Sequence, residues 1–284
     1  MIQTQSEDRP FVFYINLEKD KERRKLTESQ LKKFKRVEAI TTKQIDDLLL
    51  SKPPYLTGVE IACTLSHLKA IEEFYNSNLE YAIIAEDDID FSIEKYWGFD
   101  WKFVLNKIPK NYDVIQLVII CDKIYFKIHN HFIDEYSAAA YLINRRYAEK
   151  LLSLYKKNDK YDLLNISPRA TAEDVIFNSG VTYSMPLLLY REDAFKVSNI
   201  QSNNDIKKFH ETNYYKQLNF WKTKAKFVDW EYAFNLNPYF GTLIRPWKND
   251  VTELYSDYFW IPKFFDRMNS ANQLDLDFYL GDNN

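Results

Sequence analysis

Apolar positions along the chain fall into two alternating rhythms, one of short continuous runs and one of three- and four-residue steps. Phe11 to Leu17 (Phe-Val-Phe-Tyr-Ile-Asn-Leu) is rich in aromatic and β-branched residues, opens after Pro10, and predicts a first strand. The charged stretch Glu18 to Phe34 keeps only Leu26, Leu31 and Phe34 as an apolar side, so it predicts an exposed helix over one sheet face. Lys35 to Ile40 predicts a second strand, and Thr41 or Thr42 caps a helix through Leu50 that Ser51-Lys52-Pro53-Pro54 breaks. Gly58 to Ser77 carries the strongest helical signal, with Ile61, Leu65, Leu68, Ile71 and Tyr75 on one side. It leads into Tyr81 to Phe91, an unbroken apolar run that empties into Glu86, Asp87, Asp88 and Asp90. A run of that kind predicts a strand buried on both faces.

Trp101 to Lys107 predicts a helix and Asp113 to Ile120 another continuous strand, with Cys121 to Glu135 an irregular excursion or hairpin. Ala138 to Ile143 predicts a strand, and Asn144 caps a helix to Tyr155 whose apolar side is Ala148, Leu151, Leu152 and Tyr155. Thr171 to Phe177 reads as a short helix with an acidic first turn, stopped by Gly180, and Val181 to Tyr190 as an extended piece interrupted by Pro186. This alternation of strand and helix predicts an α/β fold, a mostly parallel sheet with helices on both faces. Beyond Arg191 the texture changes. Tyr214, Leu218, Trp221 and Ala225 fall at helical spacing, and Asn235 to Asn284 is dense in Tyr, Phe and Trp with three prolines. Two units are therefore expected: a domain over 1–200 and an extension over 201–284 packed on it.

The 284 residues, 46% hydrophobic and 17% aromatic, describe a chain able to bury a large core. Five glycines, and neither a G-x-G-x-x-G nor a Walker A pattern, argue against a Gly-rich phosphate loop. The net charge of −3 lacks the basic signature of a nucleic-acid binder, so no nucleic-acid partner is expected. Cys63 and Cys121 sit in apolar surroundings without C-x-x-C spacing and read as reduced thiols. Met1 to Pro10 is polar and no run of 18 apolar residues occurs, so the expected location is cytoplasmic.

Four acids within five residues repel one another and need a cation or solvent. Mg²⁺ or Mn²⁺, which prefer oxygen ligands and bridge to phosphates, suit such a cluster; a solvated acidic turn is the alternative. In an extended segment alternate side chains share a face, which pairs Glu86 with Asp88 and sets Asp87 apart, with Asp90 in the phase of the first two.

Phe13-Tyr14-Ile15-Asn16-Leu17 followed by Arg23-Arg24, then Val37-Glu38-Ala39-Ile40, Gly58 to His67 (GVEIACTLSH), Ala85-Glu86-Asp87-Asp88 and Ala139 to Arg146 (AAYLINRR) together resemble the ordered motif set of glycosyltransferase family 25. That family includes lipooligosaccharide and collagen hydroxylysine galactosyltransferases. The chain departs from its usual pattern at Gly58-Val59-Glu60-Ile61, which has one residue more than the commoner Gly-Glu-Ile, and at Ala62, where Gly is common.

The resemblance implies a GT-A-type Rossmann-like fold, a Mn²⁺ or Mg²⁺ ion, a UDP-sugar donor, and transfer of a hexose, galactose or glucose, with inversion. The acceptor would be a saccharide, a lipid-linked saccharide or a hydroxylysine-type hydroxyl. On this reading Asp88 is the principal metal ligand, with Glu86 facing metal or ribose and Asp90 a further candidate. Asn16, Leu17, Arg23, Arg24, Ser66, His67 and Asp87 belong to the donor site. An inverting transfer needs a general base, and Glu173 and Asp174 are the candidates, Asp174 ahead.

Competing readings are a metal-dependent phosphoester hydrolase and a non-catalytic nucleotide-sugar-binding module. Six lysines against one acid between Lys207 and Lys226 mark residues 207–230 as a candidate contact with the inner face of a membrane; a solvated helix face is the plainer alternative. His129 and His131 read as loop residues, and His210 as a surface histidine or a late metal ligand.

Overall fold

The strand predicted first lies inside a seven-stranded sheet. A computed structural model describes residues 8–121, 124–164, 170–195 and 204–236. Its elements begin β1 (Val12–Asn16), α1 (Lys21–Glu28), β2 (Phe34–Glu38), α2 (Ile45–Leu48), α3 (Gly58–Asn76), β3 (Tyr81–Glu86), β4 (Ile89–Asp90) and α4 (Trp101–Lys107). They continue with β5 (Val114–Gln116), β6 (His129–Asn130), β7 (Ala140–Asn144), α5 (Arg145–Tyr155), the hairpin β8 (Lys156–Lys157) and β9 (Lys160–Tyr161), and α6 (Ala172–Phe177). After β10 (Thr182–Ser184) and β11 (Leu189–Tyr190) come α7 (Asn204–Asn219) and α8 (Trp230–Ala233).

The sheet order is β2-β1-β3-β7-β5-β10-β6. Five strands run one way and β7 and β6 run against them, so the expected Rossmann-like α/β sheet is present with two reversed strands. Period two sorts the core onto both faces. Val12, Tyr14, Ile83, Ala85 and Leu142 point to the side of Leu31, α4 and the C-terminal helices. Phe13, Ile15, Ala82, Ile84, Tyr141 and Ile143 point to α3, α5 and α6. Each face is closed by helices, which is why these strands read as continuous apolar runs rather than alternating ones.

The path from β1 fixes where a ligand belongs. β2 pairs with β1 on one side and β3 pairs with it on the other, both parallel, so the chain reverses direction across the sheet at β1. Such a switch opens a crevice at the carboxyl ends of the two central strands, where open α/β sheets bind ligands. Asn16 ends β1 and Glu86 ends β3, at that crevice.

Local signals hold the frame. Thr57 and Glu60 form a reciprocal cap on α3, Glu60 N donating to Thr57 Oγ1 at 3.3 Å and Thr57 N to Glu60 Oε2 at 2.8 Å, worth about 1 kcal/mol. Asn144 caps α5 as expected, its Oδ1 accepting from Tyr147 N at 2.8 Å. Gly180 does something other than stop a helix, since α6 already ends at Phe177. A Cβ there would lie 2.4 Å from Tyr147 Cε2, so only glycine lets the chain cross that buried ring.

The charged helix after β1 is shorter than expected, eight residues, because β2 starts at Phe34 and Leu31 leaves the helix for the core. Leu26, predicted on its apolar side, is exposed. The expected strand over 113–120 pairs regularly only at Val114–Gln116, then bends towards a bridge between Ile120 and Tyr136. Tyr214, Trp221 and Ala225 are buried as their spacing predicted, although α7 passes through a π-helical turn at Phe220–Lys224. The aromatic tail beyond Leu236 lies outside the described residues.

Candidate active site

β3 delivers Glu86, Asp87 and Asp88 to the crevice beside Asn16, and the surroundings of each acid differ. Asp87 does not turn away as the middle residue of an extended triplet. Asn16 Nδ2 donates to its Oδ2 at 2.6 Å and Arg23 of α1 reaches its Oδ1 at 2.6 Å. The same guanidinium contacts Asp88 Oδ2 at 2.7 Å. Burial raises the Asp87 carboxyl above its ordinary pKa, although Arg23 and Asn16 work against the rise.

Asp88 is the least satisfied of the three. Its Oδ1 is buried and has no hydrogen-bond partner among the described residues. Burial, and after it the charge of Glu86, push its pKa up to about 7 against the pull of Arg23. An orphaned carboxylate oxygen costs about 1–3 kcal/mol or more unless something outside the chain binds it. The chemistry of the group fits a divalent cation, an oxygen donor beside two further carboxylates. Glu86 is half-buried, and His67 Nε2 lies 3.3 Å from its Oε1. Burial would raise Glu86, but the His67 contact outweighs it and leaves the carboxyl below its usual range. Asp90 is committed elsewhere: its Oδ1 accepts from Ser92 N at 2.9 Å and caps the turn after β4.

Three further arginines stand around Asn16 and the backbone of the acid turn. Arg24 and Arg36 donate through Nε to Asn16 Oδ1 at 3.2 and 3.0 Å, so Asn16 is held on both sides and its amide is oriented onto Asp87. Arg191, just after β11, donates to the Asp87 carbonyl at 2.8 Å and to Thr27 Oγ1 at 3.2 Å, while its own N–H bonds the Asp88 carbonyl at 2.6 Å. Arg191, Arg36 and Thr27 escaped the sequence reading. Only the position of Arg191 at the end of an extended piece could have signalled it.

The other expected donor-site residues divide. Leu17 is half-buried at the end of β1 and packs under the sheet. Ser66 is buried and structural, donating to the Ala62 carbonyl at 2.7 Å and accepting from Ile40 N at 2.8 Å. His67 is packed against Tyr141, whose hydroxyl lies 3.3 Å from Nδ1, yet its other nitrogen faces Glu86.

The two candidate bases also part. Asp174 is buried, Thr171 Oγ1 donating to its Oδ2 at 2.9 Å and Asn178 Nδ2 to its Oδ1 at 3.3 Å, so both oxygens serve α6 itself. Glu173 is half-buried and its charge is felt at Cys63 and Tyr190, where Glu86 and Asp88 are also felt. Asp174 thus has both oxygens engaged within α6, while Glu173 shares the electrostatic surroundings of Glu86 and Asp88.

Glu86 N donates to the Ala139 carbonyl at 2.7 Å, at the end of the segment 135–139. Gln116 Nε2 donates to the carbonyls of Glu135, Tyr136 and Ser137 at 2.9, 3.1 and 3.0 Å. Ser137 is held at φ 100°, and its hydroxyl meets the Tyr190 hydroxyl at 2.7 Å. His129 lies buried on β6, and His131 follows it in a half-buried loop. His129 Nε2 meets buried Glu135 at 2.6 Å, and His131 Nδ1 lies 3.0 Å from Gln116 Oε1. Burial would raise the Glu135 carboxyl, but His129 holds it below its usual range. His210 lies on α7, and burial lowers its pKa.

Residues 9–165, more than half of the chain, match the family described as Glycosyltransferase family 25 (LPS biosynthesis protein). No curated protein matches. Among solved structures, one titled Crystal Structure of A197 from STIV aligns at 11% identity over 64% of this chain and 83% of that one, with a TM-score of 0.34, too low to bear on function.

Proposed function

Because the chain belongs to glycosyltransferase family 25, we propose that it moves a hexose, galactose or glucose, from a UDP-sugar to a saccharide hydroxyl of the lipopolysaccharide type, with inversion at the anomeric carbon. The observation that carries this is the buried, unpartnered Asp88 oxygen at the switch point between β1 and β3, where a nucleotide diphosphate and its cation would sit. Asp88 and Glu86 would hold Mn²⁺ or Mg²⁺, which when bound would neutralise charge on the leaving diphosphate. Arg23, paired with Asp87 and Asp88, and Arg24, paired with Glu18, stand beside Asn16 and would turn towards the donor phosphates. Asn16, fixed by Arg24 and Arg36, orients the acid cluster. Glu173 takes the proton of the acceptor hydroxyl as that oxygen attacks the anomeric carbon and the bond to the diphosphate breaks.

Among the described residues no helix is long and apolar enough to cross a membrane. A lipid-linked acceptor would be met from the cytoplasmic side, with the lysines of residues 207–230 against the anionic surface.

Release of UDP from UDP-galactose, UDP-glucose and UDP-N-acetylglucosamine, with and without saccharide acceptors and with Mn²⁺ or EDTA, tests the proposal. Acceptor-dependent release that needs the metal is expected from one of the first two donors. Phosphoester cleavage without any acceptor, or no turnover of any donor, would favour the hydrolase or the binding module.

A further inference from the structure

A second group of metal-binding atoms stands beside the Asp88 oxygen and differs from it in chemistry. Cys63 and His67 are four residues apart on α3 and so share a face of that helix. The Cys63 sulfur, an imidazole nitrogen of His67 and a carboxylate oxygen of Glu86 all lie within 4.8 Å of one another. Ligand atoms around a tetrahedral zinc ion, with Zn–S about 2.3 Å and Zn–N or Zn–O about 2.0 Å, are roughly 3.3–3.8 Å apart. Side-chain movements on the order of 1 Å bring these three into that range, without a change in the helix or the strand.

The donor set is selective. Mg²⁺ and Mn²⁺ take oxygen ligands, whereas a sulfur and an imidazole favour zinc and its softer neighbours. The contact with Tyr141 fixes the His67 ring through Nδ1 and leaves Nε2, the nitrogen facing Glu86, for a metal. Glu173 and Asp88 add negative potential around the Cys63 sulfur. Cys63 and Glu86 are half-buried and His67 is buried. Three protein ligands are the number found in zinc sites that keep a fourth position for water or substrate.

We propose that Cys63, His67 and Glu86 form a binding site for one thiophilic divalent transition-metal ion of the zinc class, separate from the oxygen-donor position at Asp88. Glu86 is the one residue common to both positions.

Cobalt titration of the metal-free full chain, followed by absorption, tests the site. The expected result is a near-ultraviolet thiolate-to-cobalt band that saturates at one ion per chain and is displaced by Zn²⁺. The band should vanish in Cys63→Ser, persist in Asp88→Asn and Cys121→Ser, and require about 10- to 100-fold more cobalt in Tyr141→Phe, which loosens the ring's support. Because Cys63→Ser could disturb α3, the wild-type chain provides a second reading: Zn²⁺ should slow alkylation of Cys63 at least tenfold while leaving the rate at Cys121 unchanged. Absence of the band in wild type, its survival in folded Cys63→Ser, or alkylation of Cys63 unaffected by Zn²⁺ would overturn the site. None of these readouts depends on glycosyl transfer, so loss of the transferase reading would leave the site standing.

Discussion

Replacing Asp88 by asparagine should make the metal-free protein more stable and less active. In the folded chain Asp88 has its pKa raised from the usual 3.8 to about 7, burial first and Glu86 second. A carboxyl raised in this way binds its proton more tightly folded than unfolded, so stability falls as pH rises from about 4 to about 7 and stays low above that. The rise corresponds to about 4 kcal/mol at pH 8, an upper bound for the site. Asp88→Asn keeps the shape of the neutral acid and escapes that cost. Its melting temperature should exceed that of wild type by several degrees at pH 8, since about 1 kcal/mol moves a domain of this size by roughly 2–4 °C.

The gain should shrink to about 1 kcal/mol at pH 4.5, where folded wild-type Asp88 is protonated and only the unfolded chain still ionises. Taking the difference between the two proteins removes other titrations, such as that of His131, whose pKa burial lowers. Mn²⁺ at 100 times its dissociation constant should stabilise wild type by about 2.7 kcal/mol at pH 8 and do nothing for Asp88→Asn. Calorimetry across pH 4.5 to 8 provides the check. A variant less stable than wild type by the same amount at every pH would refute this account of Asp88.

Other outcomes follow from the same geometry. Glu173→Gln should lower kcat at least 100-fold with donor KM nearly unchanged in steady-state assays, whereas Asp174→Asn should mainly lower the melting temperature, because its oxygens accept bonds within α6. Gly180→Ala should cost about 1–3 kcal/mol in urea unfolding, with kcat and KM in the wild-type range at permissive temperature, since the new methyl overlaps the Tyr147 ring. Changing Lys222, Lys224 and Lys226 to Gln should abolish sedimentation with anionic vesicles at low salt, each lysine contributing about 1 kcal/mol near such a surface; binding that survives 1 M salt would contradict the electrostatic reading.

Much of the frame was legible because it rests on local rules. The steps of Ile61, Leu65, Leu68 and Ile71 give α3, whose buried side those residues form. The unbroken run before Glu86 gives a strand covered on both faces. Thr41, Asn144 and Thr171 announce the starts of helical turns. What sequence could not supply was partnership across the fold. Arg23 bridging Asp87 and Asp88 joins residues more than 60 positions apart, and nothing in either segment encodes it. The burial of His129 against Glu135 depends on how the chain from His129 to Glu135 folds back on itself. Asp174 stood ahead of Glu173 as a candidate base, and that Thr171 and Asn178 use both its oxygens shows only in the structure. Reversal of β7 was likewise hidden, since a buried strand has the same apolar pattern in either direction.

The most direct measurement is calorimetric titration of UDP into wild type and Asp88→Asn, each with Mn²⁺ and with EDTA. If Asp88 holds the cation that grips the donor diphosphate, wild type binds one UDP per chain with Mn²⁺, at least tenfold more weakly in EDTA, and Asp88→Asn binds weakly in both. Equal UDP affinity in all four titrations would contradict the assignment of this acidic crevice as a metal-dependent donor site.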